Sequence, residues 1–368
     1  MKNITCLKFN LLNLIFCLSL FSCVDDDSGK DQDKNVNQTE FLKNSAIIIS
    51  ESYDDAKQSS ANLAASIESF KLIADQRSLT DSDLSSLKDN LKAAWKDWQK
   101  ISLYSFGAAD QLALRSNVNI FKTDTLSIES SVQFGTFNLE QLSSKDAKGF
   151  PALDYLLNSK SSSQANAAFN SDSNRINYLT AVANDIASRI KAVHEDWNNN
   201  RSNFESKLGT DVGSSTGMLV NAINQHYEKF FRDNKLGIPL GVRSAGIARP
   251  DFCEAVYGGY SVELVKDNFF AFKRFYTGIT NNSINGYGLD DYLIAADAAD
   301  LDNQIQAQIN LIDLKINALS DPLPQQIQSD PQAVQDAYNE IQKLIVLLKV
   351  DLPSRIGVLI TYQDNDGD

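Results

Sequence analysis

Lys148-Gly149-Phe150-Pro151-Ala152-Leu153-Asp154-Tyr155-Leu156-Leu157 reads as the start of a helix. Proline has no N–H to lose, so Pro151 suits the first helical position. Leu153, Leu156 and Leu157 fall at spacings of three and four, which gives one apolar face. Asp154 then places a carboxylate in the first turn, where the helix dipole favours negative charge. Such a helix is stable only if others cover its leucines, and the rest of the chain supplies them.

Upstream, from Phe41, the residues Ile49, Tyr53, Ala56, Ser60, Leu63, Ile67, Phe70 and Ala74 alternate steps of four and three. Ser78-Leu79-Thr80-Asp81-Ser82-Asp83 is a capping cluster, and Leu84, Leu87, Leu91, Ala94, Trp98, Ile101 and Ser105 repeat the pattern until Gly107. Two long helices joined by a short polar turn begin an antiparallel bundle. Residues 108–147 lose the helical spacing and read as a long connection, of the kind that carries function. Beyond Pro151 a Ser/Asn-rich turn is expected over 158–174. Ile176, Leu179, Ala183, Ile186, Ile190, Val193 and Trp197 then form a fourth helix, closing a bundle over 41–208.

Gly209-Thr210-Asp211-Val212-Gly213-Ser214-Ser215 reads as a junction to a second bundle over 209–368. That half opens with Leu219, Ile223, His226 and Phe230, and continues into a turn-rich loop over 235–241. A helix is expected to start at Arg249-Pro250-Asp251 and to carry Cys253, Tyr257, Tyr260, Leu264, Asn268, Ala271 and Phe275. Two closing helices follow, one through Leu301 to Leu319 and one from Ser329-Asp330-Pro331 through Leu348. The terminal Asp364-Asn365-Asp366-Gly367-Asp368 stops before the bidentate glutamate that an EF-hand calcium loop requires.

At 368 residues and 43% hydrophobic, the chain is long enough for two cores. Lys2 and Lys8, the apolar run Leu11–Leu20 and Leu20-Phe21-Ser22-Cys23 read as a lipoprotein signal peptide over 1–22, with Cys23 the lipidated residue. Residues 23–40 are acidic and Asn-rich, and are expected to be a flexible tether. This places the protein in the cell envelope, lipid-anchored to the outer membrane, on its periplasmic or surface-exposed face. Of four cysteines only Cys253 stays in the folded part, so no intramolecular disulfide is expected. The net charge of −13, or −15 once Lys2 and Lys8 leave, disfavours nucleic acid as a partner.

The stretch around Pro151 also resembles the Gly-x-His-x-x-Glu signature of the imelysin-like family, classified as peptidase M75. Gly149 matches, Pro151 stands in place of the histidine, and Asp154 in place of the glutamate. Further resemblance lies in Phe106-Gly107-Ala108-Ala109-Asp110, Asn119–Asp124, Ile128-Glu129, Lys235–Gly241, Arg249-Pro250-Asp251 with Glu254, Tyr257 and Ser261, Gly288-Leu289-Asp290-Asp291 and the C-terminal tail. It covers roughly residues 40–368 and is similar to the Bacteroidetes lipoprotein branch of that family. The resemblance implies an all-α fold of two helical bundles. It also implies a non-enzymatic binding component of iron, haem or related nutrient uptake, with an outer-membrane transport receptor as partner. A metallopeptidase of the M75 type and a helical scaffold docking to a receptor are the alternatives.

Hydrolysis at zinc needs three nitrogen or oxygen ligands and a bound water. The chain has two histidines, His194 and His226, neither in a His-Glu-x-x-His arrangement, and both read as core histidines. No zinc is expected, and no residue is assigned as catalytic. Asp154, with Asp110 and Glu129 from the preceding connection, is the candidate carboxylate set for iron or calcium in a cleft between the bundles. Tyr155 and Tyr257 are phenol ligands suited to ferric iron. Arg115 and Arg249 are expected to pair with Glu254 and Glu129, or, if they converge on one pocket, to hold an anionic small ligand or a metal chelate. Glu254 and Ser261 complete the candidate binding set.

Overall fold

The computed structural model describes residues 28–362, with side chains from Gln38. The signal peptide, Cys23 and the terminal acidic run lie outside the described residues. The described chain is mostly helical, and among these residues the only extended pairing is the isolated bridge between Ile279 and Asn285.

The first half is a bundle of long helices. α1 (Ser28–Gln76) runs its length and packs mainly on α2 (Asp81–Ile101) and α8 (Ser173–Ser206). The expected stripe of α1 is its buried face: Ile49, Tyr53, Leu63, Ile67 and Phe70 are all nearly inaccessible. Each such side chain contributes roughly 1.5–3 kcal/mol relative to exposure. The backbone of α1 is already helical inside the segment expected to be tether. Gln38 there is buried and donates to the Tyr292 hydroxyl at 2.9 Å, so the tether reading does not hold up to residue 40.

Capping residues set the boundaries. The Thr80 N–H is satisfied by Asp83 Oδ2 at 2.9 Å at the start of α2, and Asp172 Oδ1 accepts the Asn174 N–H at 2.9 Å at the start of α8. The connection read as irregular over 108–147 contains α3 (Ala108–Gln111), α4 (Leu114–Val118) and α5 (Thr125–Phe134). Asp124 caps α5, and Gly135, at φ +64°, ends it. The turn expected over 158–174 likewise holds α7 (Ser162–Ser171). Side-chain caps from Asp124 and Ser161 start α5 and α7, while α3 and α4 begin without one.

Between them lies α6 (Gly149–Asn158). It begins two residues before Pro151, so the proline is at the third helical position and Asp154 is in the second turn, too far in to cap or to meet the dipole. Gly149 has a physical reason to be glycine. Its φ is +78°, and a Cβ there would sit 2.3 Å from the Val118 carbonyl oxygen.

The second half comprises α9 (Ser215–Gln225), α10 (Ile238–Leu240), α11 (Ser261–Tyr276), α12 (Leu289–Ala295), α13 (Ala299–Asn317), α14 (Leu323–Ser329), α15 (Pro331–Val346) and α16 (Leu352–Ile356). Two departures from expectation matter. The chain stays helical through His226–Gly237 as a π-wound continuation of α9, so the loop expected over 235–241 is mostly helix and turns only at Gly241. The helix expected from Pro250 is a single 3-10 turn, Pro250–Phe252; α11 begins at Ser261, after a turn with Ala255 at φ +52° and Gly259 at φ +71°.

The halves share a seam. α2 packs against α11, and α1 touches α9, α11 and α12. None of the described helices is long and apolar enough to cross a membrane.

Candidate functional site

The seam between α2 and α11 is polar at its centre. Glu254 is 2% exposed, and its Oε1 accepts from Trp95 Nε1 at 3.1 Å, Gln99 Nε2 at 3.1 Å and Asn119 Nδ2 at 2.7 Å. Its other oxygen takes the Lys235 ammonium, which also donates to Gln99 Oε1 at 2.8 Å. A buried carboxylate with one cation and three neutral donors is fully satisfied.

The network continues through Asn268. Its amide nitrogen donates to the Gln99 carbonyl at 3.1 Å and to Ser102 Oγ at 2.9 Å, which leaves Oδ1 facing His226 Nε2 at 2.8 Å. That oxygen can only accept, so Nε2 carries the proton and His226 Nδ1 is free to accept from Arg115 Nη2 at 3.1 Å. His226 is therefore a neutral ring held between two fixed partners. Burial, and then the Arg115 charge, pushes its pKa well down.

The π winding brings these groups together. His226 and Lys235 are nine residues apart, which is about two and a half turns of an α-helix and would set them on opposite faces. The wider π turn returns both to one network, with Phe230 between them. Expanded turns of this kind concentrate at functional sites.

Arg115, from α4, lies at the edge of this network. Its Nη2 donates to the Ser102 carbonyl and to His226, and its guanidinium plane stacks on Phe230 with 3.9 Å to the ring centroid. Beside it opens a cleft of about 360 Å³ lined by Asp110, Arg115, Ser116, Phe121, Gln225, Phe230 and Asn234 among others. A second cavity, of about 310 Å³, is walled by Tyr53, Tyr104, Phe106, Trp197 and Phe204.

The motif-equivalent residues do structural work at a different part of the seam. Asp154 is 1% exposed, and its Oδ2 accepts the Tyr257 N–H at 3.0 Å while Oδ1 accepts from Asn158 Nδ2 at 2.9 Å. The Gly258 N–H also reaches it. Burial pushes its pKa up to about 6. Pro151 is buried beside it and offers no coordinating atom.

The other candidates disperse. Glu129 pairs with Arg175 and accepts the Tyr155 hydroxyl at 2.7 Å, and the Tyr155 and Tyr257 rings meet edge to face at 5.4 Å. Arg249 lies near Asp251 at 3.6 Å and stacks over Phe252, so it does not converge on Arg115. The expected arginine pairings are replaced: Lys235 holds Glu254, and Arg175 holds Glu129. The Ser261 hydroxyl donates to the Glu254 carbonyl, and Asp110 is exposed at the rim of the cleft. Burial pushes the Cys253 thiol up, which keeps it protonated and unreactive.

His194 is bound to Asp54 at 2.7 Å, in surroundings separate from His226. Among the described residues, no three His, Cys, Asp or Glu side chains are grouped to hold a metal ion. Sequence reasoning overlooked Gln99, Lys235 and Asn268. The signal was a run of polar residues placed on otherwise apolar stripes.

Comparison with known proteins agrees with this architecture. The family model described as imelysin (peptidase M75) matches residues 49–349. The crystal structure of an imelysin-like protein from Psychrobacter arcticum 273-4 superposes with a TM-score of 0.69 at 15% identity, covering 89% of this chain and 98% of that one. That of a protein provisionally named iron-regulated protein A precursor, from Parabacteroides distasonis ATCC 8503, gives 0.68 at 15% identity, covering 88% and 95%. No curated protein sequence matches the chain.

Proposed function

The chain belongs to the imelysin family, and from that premise we propose that it is a non-enzymatic binding component of iron, haem or related nutrient uptake. It is held in the cell envelope by a lipid on Cys23, and it meets an outer-membrane transport receptor there. The observation that carries the non-enzymatic part is the state of Asp154. Both of its oxygens are engaged by donors, from Asn158, Tyr257 and Gly258, and the neighbouring position is a proline. A carboxylate used in this way joins two parts of the chain and leaves neither oxygen open to a metal or a substrate.

The recognition part is supported by the cleft beside Arg115, which has the size and the mixed apolar and polar lining of a small-ligand site. The iron connection is supported by the name of the Parabacteroides distasonis protein, at the level of shared fold. Metal analysis of the purified protein, with calorimetric titration by ferric iron, haem and calcium, tests this. Saturable binding of ferric iron or haem is expected. A protein that takes up none of them while cleaving peptides contradicts the proposal.

A further inference from the structure

Two cations, Lys235 and Arg115, lie near the buried Glu254 carboxylate at the seam. Glu254 carries one negative charge and is bonded directly to Lys235. Arg115 makes no ion pair among the described residues; its only hydrogen-bond partners there are the Ser102 carbonyl and the neutral ring of His226. Lys235 thus has Glu254 in contact and Asp267 near it, whereas Arg115 is attracted by Glu254 only from a distance and has no carboxylate against it. Burying a charge without a counter-charge is costly, and a ligand of opposite sign relieves that cost.

The donors of Arg115 agree with the charge. Nη2 uses both of its hydrogens on the protein, while Nε is buried with no acceptor and Nη1 has none among the described residues. The stack on Phe230 and the bond to Ser102 fix the plane of the guanidinium, so little side-chain entropy is left to lose on binding. Arg115 also lines the 360 Å³ cleft, where the amides of Gln225 and Asn234 make no hydrogen bond among the described residues. The rest of the lining is largely apolar, with Phe121 and Phe230 as its rings, and the one carboxylate, Asp110, is at the exposed rim.

From this we infer that the cleft binds a small molecule carrying a carboxylate, seated inward on Arg115 and flanked by Gln225 and Asn234, with an apolar body against Phe121 and Phe230. The rim carboxylate of Asp110 selects an outer end that is neutral or cationic. This deepens the recognition role proposed above by naming the chemical class of the ligand, and it rests on that role.

The test is calorimetric titration of the purified protein with 4-methylbenzoate, its neutral counterpart 4-methylbenzamide, and 4-(aminomethyl)benzoate. The benzoate should bind at least about tenfold tighter than the amide, as expected for a charge-assisted contact in a partly dry site. The aminomethyl compound should bind tighter still, and Asp110→Asn should remove that last gain. Arg115→Met should erase the preference of benzoate over benzamide. Should Arg115→Met fail to fold, Ser116→Trp, placed in the cleft wall, should abolish binding of all three. Absence of saturable benzoate binding to the unaltered protein, equal binding of acid and amide, or a preference that survives in Arg115→Met overturns the inference. So does benzoate binding unchanged by Ser116→Trp. None of these outcomes depends on iron uptake or on peptide cleavage, so this inference and the broader role fail separately.

Discussion

The Asp154 carboxylate accepts the backbone N–H of Tyr257 at 3.0 Å across 103 residues of sequence, and so fastens α6 to the turn that precedes α11. The residue standing where the family signature has its glutamate is thus a clamp between the two halves of the chain. Asp154→Ala leaves the half-buried Tyr257 and Gly258 N–H groups without this acceptor and should cost about 1–3 kcal/mol. Urea denaturation measures this, and an unchanged midpoint would contradict the clamp.

The same residue makes stability depend on pH with a definite sign. Burial pushes Asp154 up to about 6, above the roughly 3.9 of a free aspartate. Between those values the folded state holds a proton that the unfolded state releases. The stability this group contributes is therefore full below the unfolded value and is lost as pH rises through about 6. Relative to the unaltered protein, Asp154→Asn should gain stability between pH 5 and pH 7, since its amide cannot ionise. Urea midpoints of the two proteins at both pH values give the comparison.

Glu254 and Lys235 form an ion pair with both side chains almost inaccessible. Removing one partner strands the other charge, so Glu254→Gln should destabilise by about 3–5 kcal/mol. The double variant Glu254→Gln, Lys235→Met should recover much of that loss, because a charge is no longer buried alone. Denaturant titration of the single and double variants checks the coupling.

Gly149 sits at φ +78° with the Val118 carbonyl in the place of any Cβ. Gly149→Ala should cost about 2 kcal/mol or more through backbone strain and that contact. A thermal unfolding comparison reads the loss directly.

Restoring the family's histidine should not restore a metal site. In Pro151→His, the new ring would meet an Asp154 whose oxygens are engaged by Asn158 and the 257–258 backbone. Zinc titration of this variant should give no stronger uptake than the unaltered protein, and stoichiometric zinc binding would contradict that.

Most of the fold was legible because apolar residues at steps of three and four report a buried helical face whatever the partner. The stripes of α1, α2, α8, α13 and α15 are buried as read except at Ala74 and Ser105, which are half-buried, and α2 stops at Ile101, short of the Gly107 expected to end it. The short helices within 108–147 and 158–174 were not legible, since one or two turns carry too few residues to display a period. At the site the failure has a different cause. Reading Phe230 as the end of a stripe assumed an α-helical repeat, and the π winding from His226 to Gly237 moves Lys235 onto the face the repeat excludes. Arg115 was singled out as a residue to watch, but its partner could not be named, because the groups it meets come from Ser102 and His226 rather than from a carboxylate. The departure at Pro151 and Asp154 was plain in the sequence; that Asp154 would hold backbone N–H groups of the other half was not.

The central claim is that this scaffold recognises a solute and does not cut peptides. Incubating the purified protein with a peptide library in the presence of zinc or iron, and reading products by mass spectrometry beside Asp154→Ala, tests it most directly. The account predicts no cleavage above background for either protein. Metal-dependent cleavage by the unaltered protein that disappears in Asp154→Ala would contradict it.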